Sequence, residues 1–322
     1  GCDTGWHFAS TVLFGAPFDG TTSYRPGARF GSSAIRHESY GIESYSPYQD
    51  LDLFDGDVTD IGDIELPFGS SEAALDAITD QTRRILHSHK RPFMLGGEHL
   101  VTLGAFRAVF EKFPDVHIIH FDAHADLRDD YLGVKLSHAC VLRRCWELTG
   151  NGKIFQFGIR SGDREEFTWG RTHVKTNRFD FSTLEEVVEQ LKDKPVYFTL
   201  DLDVLDPSVF PGTGTPEPGG VSFDELRRAV HWFVPSFASW AAMSTSCARP
   251  TTKAALPPPW PARCSGSCCF CFPDSRRQCP LEALSEGVVP FNKTALPWSE
   301  GRVFPKDLFT ISLPHGHERN TE

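Results

Sequence analysis

Three short segments hold side chains that could act together. Gly96-Gly97-Glu98-His99 places an imidazole behind a glycine pair. Asp122-Ala123-His124-Ala125-Asp126 places two carboxylates and an imidazole two residues apart, and Asp201-Leu202-Asp203 repeats the carboxylate spacing. In extended backbone, residues i, i+2 and i+4 face one side, so the second and third segments each predict converging polar side chains. Singly the signals are modest: the first reads equally as a sharp turn with an incidental histidine, and a lone DxD is common. Together they offer four carboxylates and two imidazoles. No thiolate is among them, which argues against a structural zinc site. Oxygen-rich donors with some imidazole suit Mn²⁺ or an ion of similar hardness. Six donors exceed what one open ion needs and suffice for two ions sharing bridging carboxylates. Two such ions turn a shared water into hydroxide near neutral pH, so the expected chemistry is hydrolysis.

The elements that must position these groups are legible around them. Pro92–Leu95, Val116–Phe121 and Pro195–Leu200 are apolar runs of strand length, and each ends at one of the three segments. Thr11–Phe14 and Lys153–Phe157 read as further strands. Ser71–His87 has a serine start, early acids, late basics and helical apolar spacing, and Leu100–Lys112 and Phe223–Phe233 also read as helices. Strand and helix in alternation predict a parallel sheet covered on both faces, a three-layer α/β/α fold. In open α/β sheets, ligand sites gather at the carboxyl ends of strands. Two acids ending the buried run PVYFTL would be costly there without a compensating cation.

The chain has 322 residues, 40% hydrophobic and 23% charged, with a net charge of −11. That balance disfavours nucleic acid or an anionic membrane as partner and mildly suits a cationic small molecule. No apolar run approaches the roughly 18–20 residues of a membrane span, and no basic-then-apolar leader opens the chain, so cytoplasm is the expected compartment. The chain starts at Gly1 rather than Met, which leaves room for an earlier true start. Residues 1–234 are expected to form the α/β domain. From Pro235 the pattern changes, with 12 of the 23 prolines lying from that residue onward. Cys264, Cys268, Cys269 and Cys271 match no standard zinc spacing and have no histidine beside them. Residues 235–322 are expected to be a disordered or out-of-frame tail, with the last strand and helix of the sheet missing.

GGEH, FDAHADLRDD and TLDLDVLDPSVFPGTGTPEPGG resemble the three signatures of the ureohydrolase (arginase/agmatinase) family. LFGAPFDGTTSYRPGARFGSSAIR, LSHACVLRR and QFGIRSGDREEF are most similar to the bacterial agmatinase branch, and the resemblance spans nearly all of residues 1–233. It implies two Mn²⁺ per subunit, with His99 and Asp126 on the first ion, His124 and Asp203 on the second, and Asp122 and Asp201 bridging. It implies hydroxide attack on the guanidinium carbon of agmatine and collapse to putrescine and urea. Asp126 would handle the hydroxide proton and His138, in LSHAC, would be the mobile proton shuttle. Asp163 and Glu166 are expected to line the substrate pocket, the alternative being local ion pairs with Arg160 or Arg164. Homotrimers or homohexamers are the assemblies implied. Arginase-type or guanidinobutyrase-type hydrolysis, or an inactive metal-binding remnant, stay open as alternatives.

The family continues with a strand ending in a D-[VI]-N-E-L-x-P motif, whose glutamate holds the guanidinium; this motif is missing here. Trp240–Ala255 can, however, be encoded so that reading from the third base gives GGDVNELCPAYDKSG, and Leu256–Cys268 likewise gives VTTAMACKVLREL. The joined string is the missing strand, motif and terminal helix in order. A shift of reading frame between about His231 and Trp240 is therefore expected. Sequencing the source DNA decides this: nucleotides from Trp240 to Cys268 should encode that string in another frame, and if they do not, the frameshift is refuted.

Overall fold

The computed structural model describes residues 2–233 and the backbone of residues 240–246. In chain order the elements are β1 (Thr11–Gly15), α1 (Gly31–Ser39), β2 (Tyr45–Ser46), β3 (Leu51–Asp52), β4 (Val58–Asp63), α2 (Ser71–His87), β5 (Arg91–Leu95), α3 (Val101–Lys112), β6 (His117–Phe121), α4 (Val141–Thr149), β7 (Ile154–Ile159), α5 (Arg164–His173), β8 (Lys175–Arg178), α6 (Leu184–Leu191), β9 (Val196–Asp201), α7 (Phe223–Phe233) and β10 (Trp240–Ser246). Eight strands form one parallel sheet in the order β4-β1-β5-β10-β9-β6-β7-β8, and β2 and β3 pair separately as a short antiparallel ribbon.

The period-two alternation of each strand divides its side chains between two cores. Phe93, Leu95, Ile119, Phe121, Phe198 and Leu200 pack with α1, α6 and α7 on one face. Val12, Phe14, Met94, Ile118, Ile154 and Tyr197 pack with α2, α3 and α4 on the other. Helix α2 starts where its serine predicts: Ser70 Oγ accepts from the Ala73 amide at 3.2 Å. The three-layer α/β/α architecture expected from the sequence is present.

One expectation is corrected. The last strand of the sheet is not missing, because Trp240–Ser246 lies between β5 and β9, pairing Met243 with Phe93 and Phe198, and Ser246 with Asp201. Without it the two central strands would expose facing rows of unpaired amides and carbonyls. Backbone pairing is nearly indifferent to side-chain identity, so seven extended residues satisfy that slot although they lack a recognisable strand pattern. The terminal helix and the Pro/Cys-rich tail of the sequence reading fall outside the described residues.

The strand order places the ends of β5, β9 and β6 close together, with β10 inserted between β5 and β9. The chain leaves β5 through Gly96-Gly97, and the second glycine is a packing requirement. A Cβ on Gly97 would sit 1.8 Å from the Phe18 carbonyl oxygen. The Glu98 amide donates to that same carbonyl at 2.7 Å, which ties the β1 exit loop to the segment carrying His99. Gly97→Ala is expected to cost about 3 kcal/mol or more, the upper end of overpacking penalties because backbone must move. Denaturant unfolding checks this; a midpoint like that of the parent would show that the loop yields freely.

Candidate metal centre

Each candidate donor sits at or just beyond a strand end, and local backbone aims it. His99 follows β5 and its Nε2 lies 2.9 Å from Thr199 Oγ1 on β9. With that nitrogen engaged, Nδ1 faces Asp122 Oδ2 at 2.9 Å and Asp126 Oδ2 at 3.0 Å, with Asp201 Oδ2 at 3.8 Å. These approaches lack hydrogen-bond direction, and Nδ1 is a buried polar atom without a hydrogen-bond partner. A nitrogen lone pair and carboxylate oxygens converging on a common point fit a cation better than they fit one another.

Asp122 is shared between two groups. Its Oδ2 belongs to the His99–Asp126 side, whereas Oδ1 accepts from the His124 amide at 2.6 Å and lies 3.4 Å from His124 Nδ1. His124 Nδ1 is also 3.1 Å from Asp203 Oδ2. Two clusters able to hold a metal therefore abut, one formed by His99, His120, Asp122 and Asp126, the other by Asp122, His124 and Asp203.

The simple alternation expected along the DAHAD segment is only partly what brings these groups together. Strand β6 ends at Phe121, and Asp126 is turned inward by left-handed backbone with φ of 54°. Such a conformation in a non-glycine residue costs on the order of 1–3 kcal/mol and collects at functional sites. Asp201 and Asp203 are likewise not a strand pair. Asp201 caps a short 3-10 turn over Leu202–Val204, accepting from the Asp203 amide at 3.1 Å.

Burial sets the charges of the cluster in conflict. It pushes Asp126 up to about 7, with the Asp122 charge adding to the effect. It pushes Asp201 well above the usual carboxylate range, helped by Asp203 and Asp122, and it raises Asp203, helped by Asp122. Asp122 goes the other way: burial opposes its charge, but the imidazoles of His120, His124 and His99 hold it well below the usual range. For His99 and His124 burial also opposes the charge, yet the adjacent carboxylates carry both well above ordinary histidine. The cluster thus draws protons to itself, as an uncompensated anionic site must.

A cavity of about 50 Å³ opens onto the cluster, lined by Glu98, His138, Thr213 and Gly214 among others. His138 stands in its wall, with Nδ1 3.4 Å from Thr21 Oγ1 and Nε2 3.3 Å from Ser23 Oγ. Burial and the charge on His124 lower it to about 4. Glu98 lies 3.5 Å from His138 and accepts from the Thr21 amide at 2.9 Å; burial raises it to about 7.

Asp163 and Glu166 are not in that wall. They form a reciprocal capping box at the start of α5: Asp163 Oδ1 accepts from the Glu166 amide at 2.9 Å, and Glu166 Oε2 from the Asp163 amide at 2.8 Å. Glu166 Oε1 also accepts from the Leu127 amide at 2.9 Å, so its carboxylate braces the loop behind Asp126. A D-x-x-E pattern before a helix carries that signal in sequence. Arg160 pairs with neither acid. Its guanidinium donates to the carbonyls of Asp203 at 2.6 Å, Val204 at 3.1 Å and Glu217 at 2.8 Å. Arg128 approaches both acids at 3.4 Å. The sequence reading passed over His120, buried two residues before Asp122 and 2.8 Å from it. The period-two series His120, Asp122, His124 was the available signal.

A parallel α/β/α sheet carrying a buried His/Asp cluster at its carboxyl edge defines the class, an α/β protein with a site able to hold metal. The chain belongs to the arginase family, the ureohydrolase enzymes, whose family model matches residues 9–239. It is 48% identical to the agmatinase of Bacillus subtilis (strain 168) over 228 residues, 70% of this chain and 79% of that protein. It is 41% identical to the N(1)-aminopropylagmatine ureohydrolase of Thermococcus kodakarensis over 232 residues, 70% of this chain and 78% of that protein. A solved structure of a putative agmatinase from Clostridium difficile superposes with a TM-score of 0.75 at 47% identity, covering 78% of this chain and 91% of that one.

The charge conflict has a pH signature. Asp126 and Glu98, at about 7 in the fold, titrate near 4 when unfolded. Above about 4 the unfolded state therefore binds fewer protons through these groups, and stability falls as pH rises. His117 and His138, lowered to about 4 by burial, oppose this up to the unfolded histidine value of 6.5. Above 6.5 that opposition ends, and the raised His99 and His124 add to the fall. The metal-free protein should lose melting temperature between about pH 6.5 and 8, and Mn²⁺ should flatten the loss. A metal-free melting temperature that rises over this interval would contradict the charge assignment.

Proposed function

We propose that this chain carries the binuclear manganese centre of an agmatinase, the enzyme that cleaves agmatine to putrescine and urea. The observation that carries the reading is His99 Nδ1, buried without a hydrogen bond and facing Asp122 and Asp126, while Asp122 is shared with the His124–Asp203 group. The agmatinases among its relatives support the substrate. In this reading His99 and Asp126 would hold one Mn²⁺ and His124 and Asp203 the other, with Asp122 and Asp201 shared between them. The pair of ions supplies hydroxide at neutral pH and polarises the reacting group.

The chain's own residues supply attraction, exclusion of water and proton handling. Glu98, in the cavity wall and outside the proposed ligand set, is the carboxyl group left to face a cationic guanidinium. Asp126, placed beside the attacking oxygen in this reading, would take the proton released in attack. His138, in the wall and held by Thr21 and Ser23, carries a proton toward the departing amine. Cytoplasm is the compartment that goes with this reading, and no described helix is long and apolar enough to cross a membrane. Homotrimeric or homohexameric assembly belongs to the same reading.

A second reading, an impaired remnant, is favoured by the place where family likeness stops. The family match ends at residue 239, and β10 begins at Trp240. Its end sets Thr245 beside Leu200 and Ser246 beside Asp201. In the encoding that yields the family string, a glutamate codon would begin within the Thr245 codon, so the alternative frame would supply a carboxylate at this point of the sequence where the present one has Thr245-Ser246. All six proposed ligands precede the break and survive it.

The expected outcome is metal binding with little turnover. Loaded with Mn²⁺, the chain should release urea from agmatine at least about 10²-fold more slowly than a version restored to the other frame from residue 240, a loss typical of removing one charge-stabilising group. A panel of agmatine, arginine and guanidinobutyrate separates the guanidino substrates. Equal turnover by both versions would eliminate the impaired-remnant reading, and no turnover of any substrate by the restored version would eliminate the agmatinase reading.

A further inference from the structure

His120 is the one member of the buried cluster that the proposed hydrolysis leaves without a task. It lies in β6, fully buried, with Nε2 2.8 Å from Asp122 Oδ2 and Nδ1 3.1 Å from Gln156 Nε2. Gln156 lies in β7, also fully buried, and its Nε2 donates to the Ala125 carbonyl at 2.7 Å. Its Oε1 accepts from Thr176 Oγ1 on β8 at 2.9 Å. Three adjacent strands thus contribute one polar side chain each to a line that ends on Asp122.

The line has a single consistent direction of donation. A backbone carbonyl can only accept, so the amide nitrogen of Gln156 must be the atom facing Ala125. That places Oε1 toward the Thr176 hydroxyl. The second amide proton of Gln156 then points at His120 Nδ1, which must be an unprotonated acceptor. The one proton of the neutral imidazole is left on Nε2, aimed at Asp122 Oδ2.

This arrangement separates two roles that proximity alone does not. His120 falls within the first metal-capable cluster. Its Nε2 faces that cluster but carries a proton, and its lone pair faces Gln156, away from the cluster; it is therefore not a ligand. We propose that His120, with its tautomer set by Gln156 and Thr176, is a positioning residue that fixes the Asp122 carboxylate so that Oδ2 serves the His99–Asp126 side and Oδ1 the His124–Asp203 side. The inference rests on the binuclear reading above and adds to it the device that holds the shared carboxylate in a bridging pose. Hydrogen-bond partners outside the ligand shell orient ligands in this way, and losing them costs about 10–100-fold in metal affinity.

Two measurements on the full chain test it. In ¹⁵N-histidine-labelled, metal-free protein, long-range proton–nitrogen correlation should show His120, assigned by its loss in His120→Gln, as the neutral Nε2–H tautomer. A neutral Nδ1–H ring overturns the proposal. In Mn²⁺ titrations, His120→Ala should bind about 10–100-fold more weakly than the parent, and His120→Gln, which keeps an N–H donor toward Asp122, should recover most of that loss. Thr176→Val, outside the buried centre, should weaken binding by a few-fold and guards against a folding defect in His120→Ala. Parent-like affinity in both His120→Ala and Thr176→Val overturns this proposal while leaving the binuclear reading intact. A parent chain that binds no Mn²⁺ overturns both.

Discussion

Burying four carboxylates within a few ångströms of one another is the constraint around which the rest of the molecule is arranged. Like charges removed from water repel and lose hydration together. Without a cation the protein meets this by raising proton affinity at Asp126, Asp201 and Asp203, while imidazoles hold Asp122 ionised. Neither response satisfies His99 Nδ1, which remains buried and unbonded beside acceptors. Cations bound among these donors would relieve the conflict, which is why donor chemistry rather than any single distance marks the cluster as able to hold metal.

The supporting structure meets this constraint with backbone as much as with side chains. Gly97 lets the segment carrying His99 pass against Phe18. Left-handed backbone turns Asp126 into the cluster. The Asp163–Glu166 capping box starts α5 and reaches back to the Leu127 amide, bracing the loop that makes this turn. Arg160 gathers carbonyls from Asp203, Val204 and Glu217, so the loop after β9 closes around a half-buried cation of the protein's own. These contacts come from several segments of the chain, and each constrains a candidate donor from outside the cluster.

In the proposed reading, strand β10 is where metal binding and substrate recognition would part company. The central slot of the sheet asks for extended backbone, and Trp240–Ser246 provides it. Backbone pairing, however, does nothing to select the side chains that the end of the strand carries. The proposed frame change near this point would therefore preserve the sheet and the candidate donors while altering the residues beyond.

By itself the sequence determined the alternating α/β fold, the three strand ends at which the site lies and the donor residues that meet there. These are local properties: apolar period, glycine at a turn, acids and histidines at fixed spacing. The tertiary structure alone decided how they meet. It showed Asp126 turned by a positive φ rather than by strand alternation, and Asp201 and Asp203 disposed about a 3-10 turn. It assigned Asp163 and Glu166 to a helix cap, and it linked His120 to Gln156 and Thr176 across neighbouring strands. It also filled the central slot with a segment that carries no strand signature, because pairing there is dictated by the unsatisfied edges on either side. Contacts between distant segments and the hydrogen-bond demands of neighbouring strands have no local pattern, so they become visible only once the chain is folded.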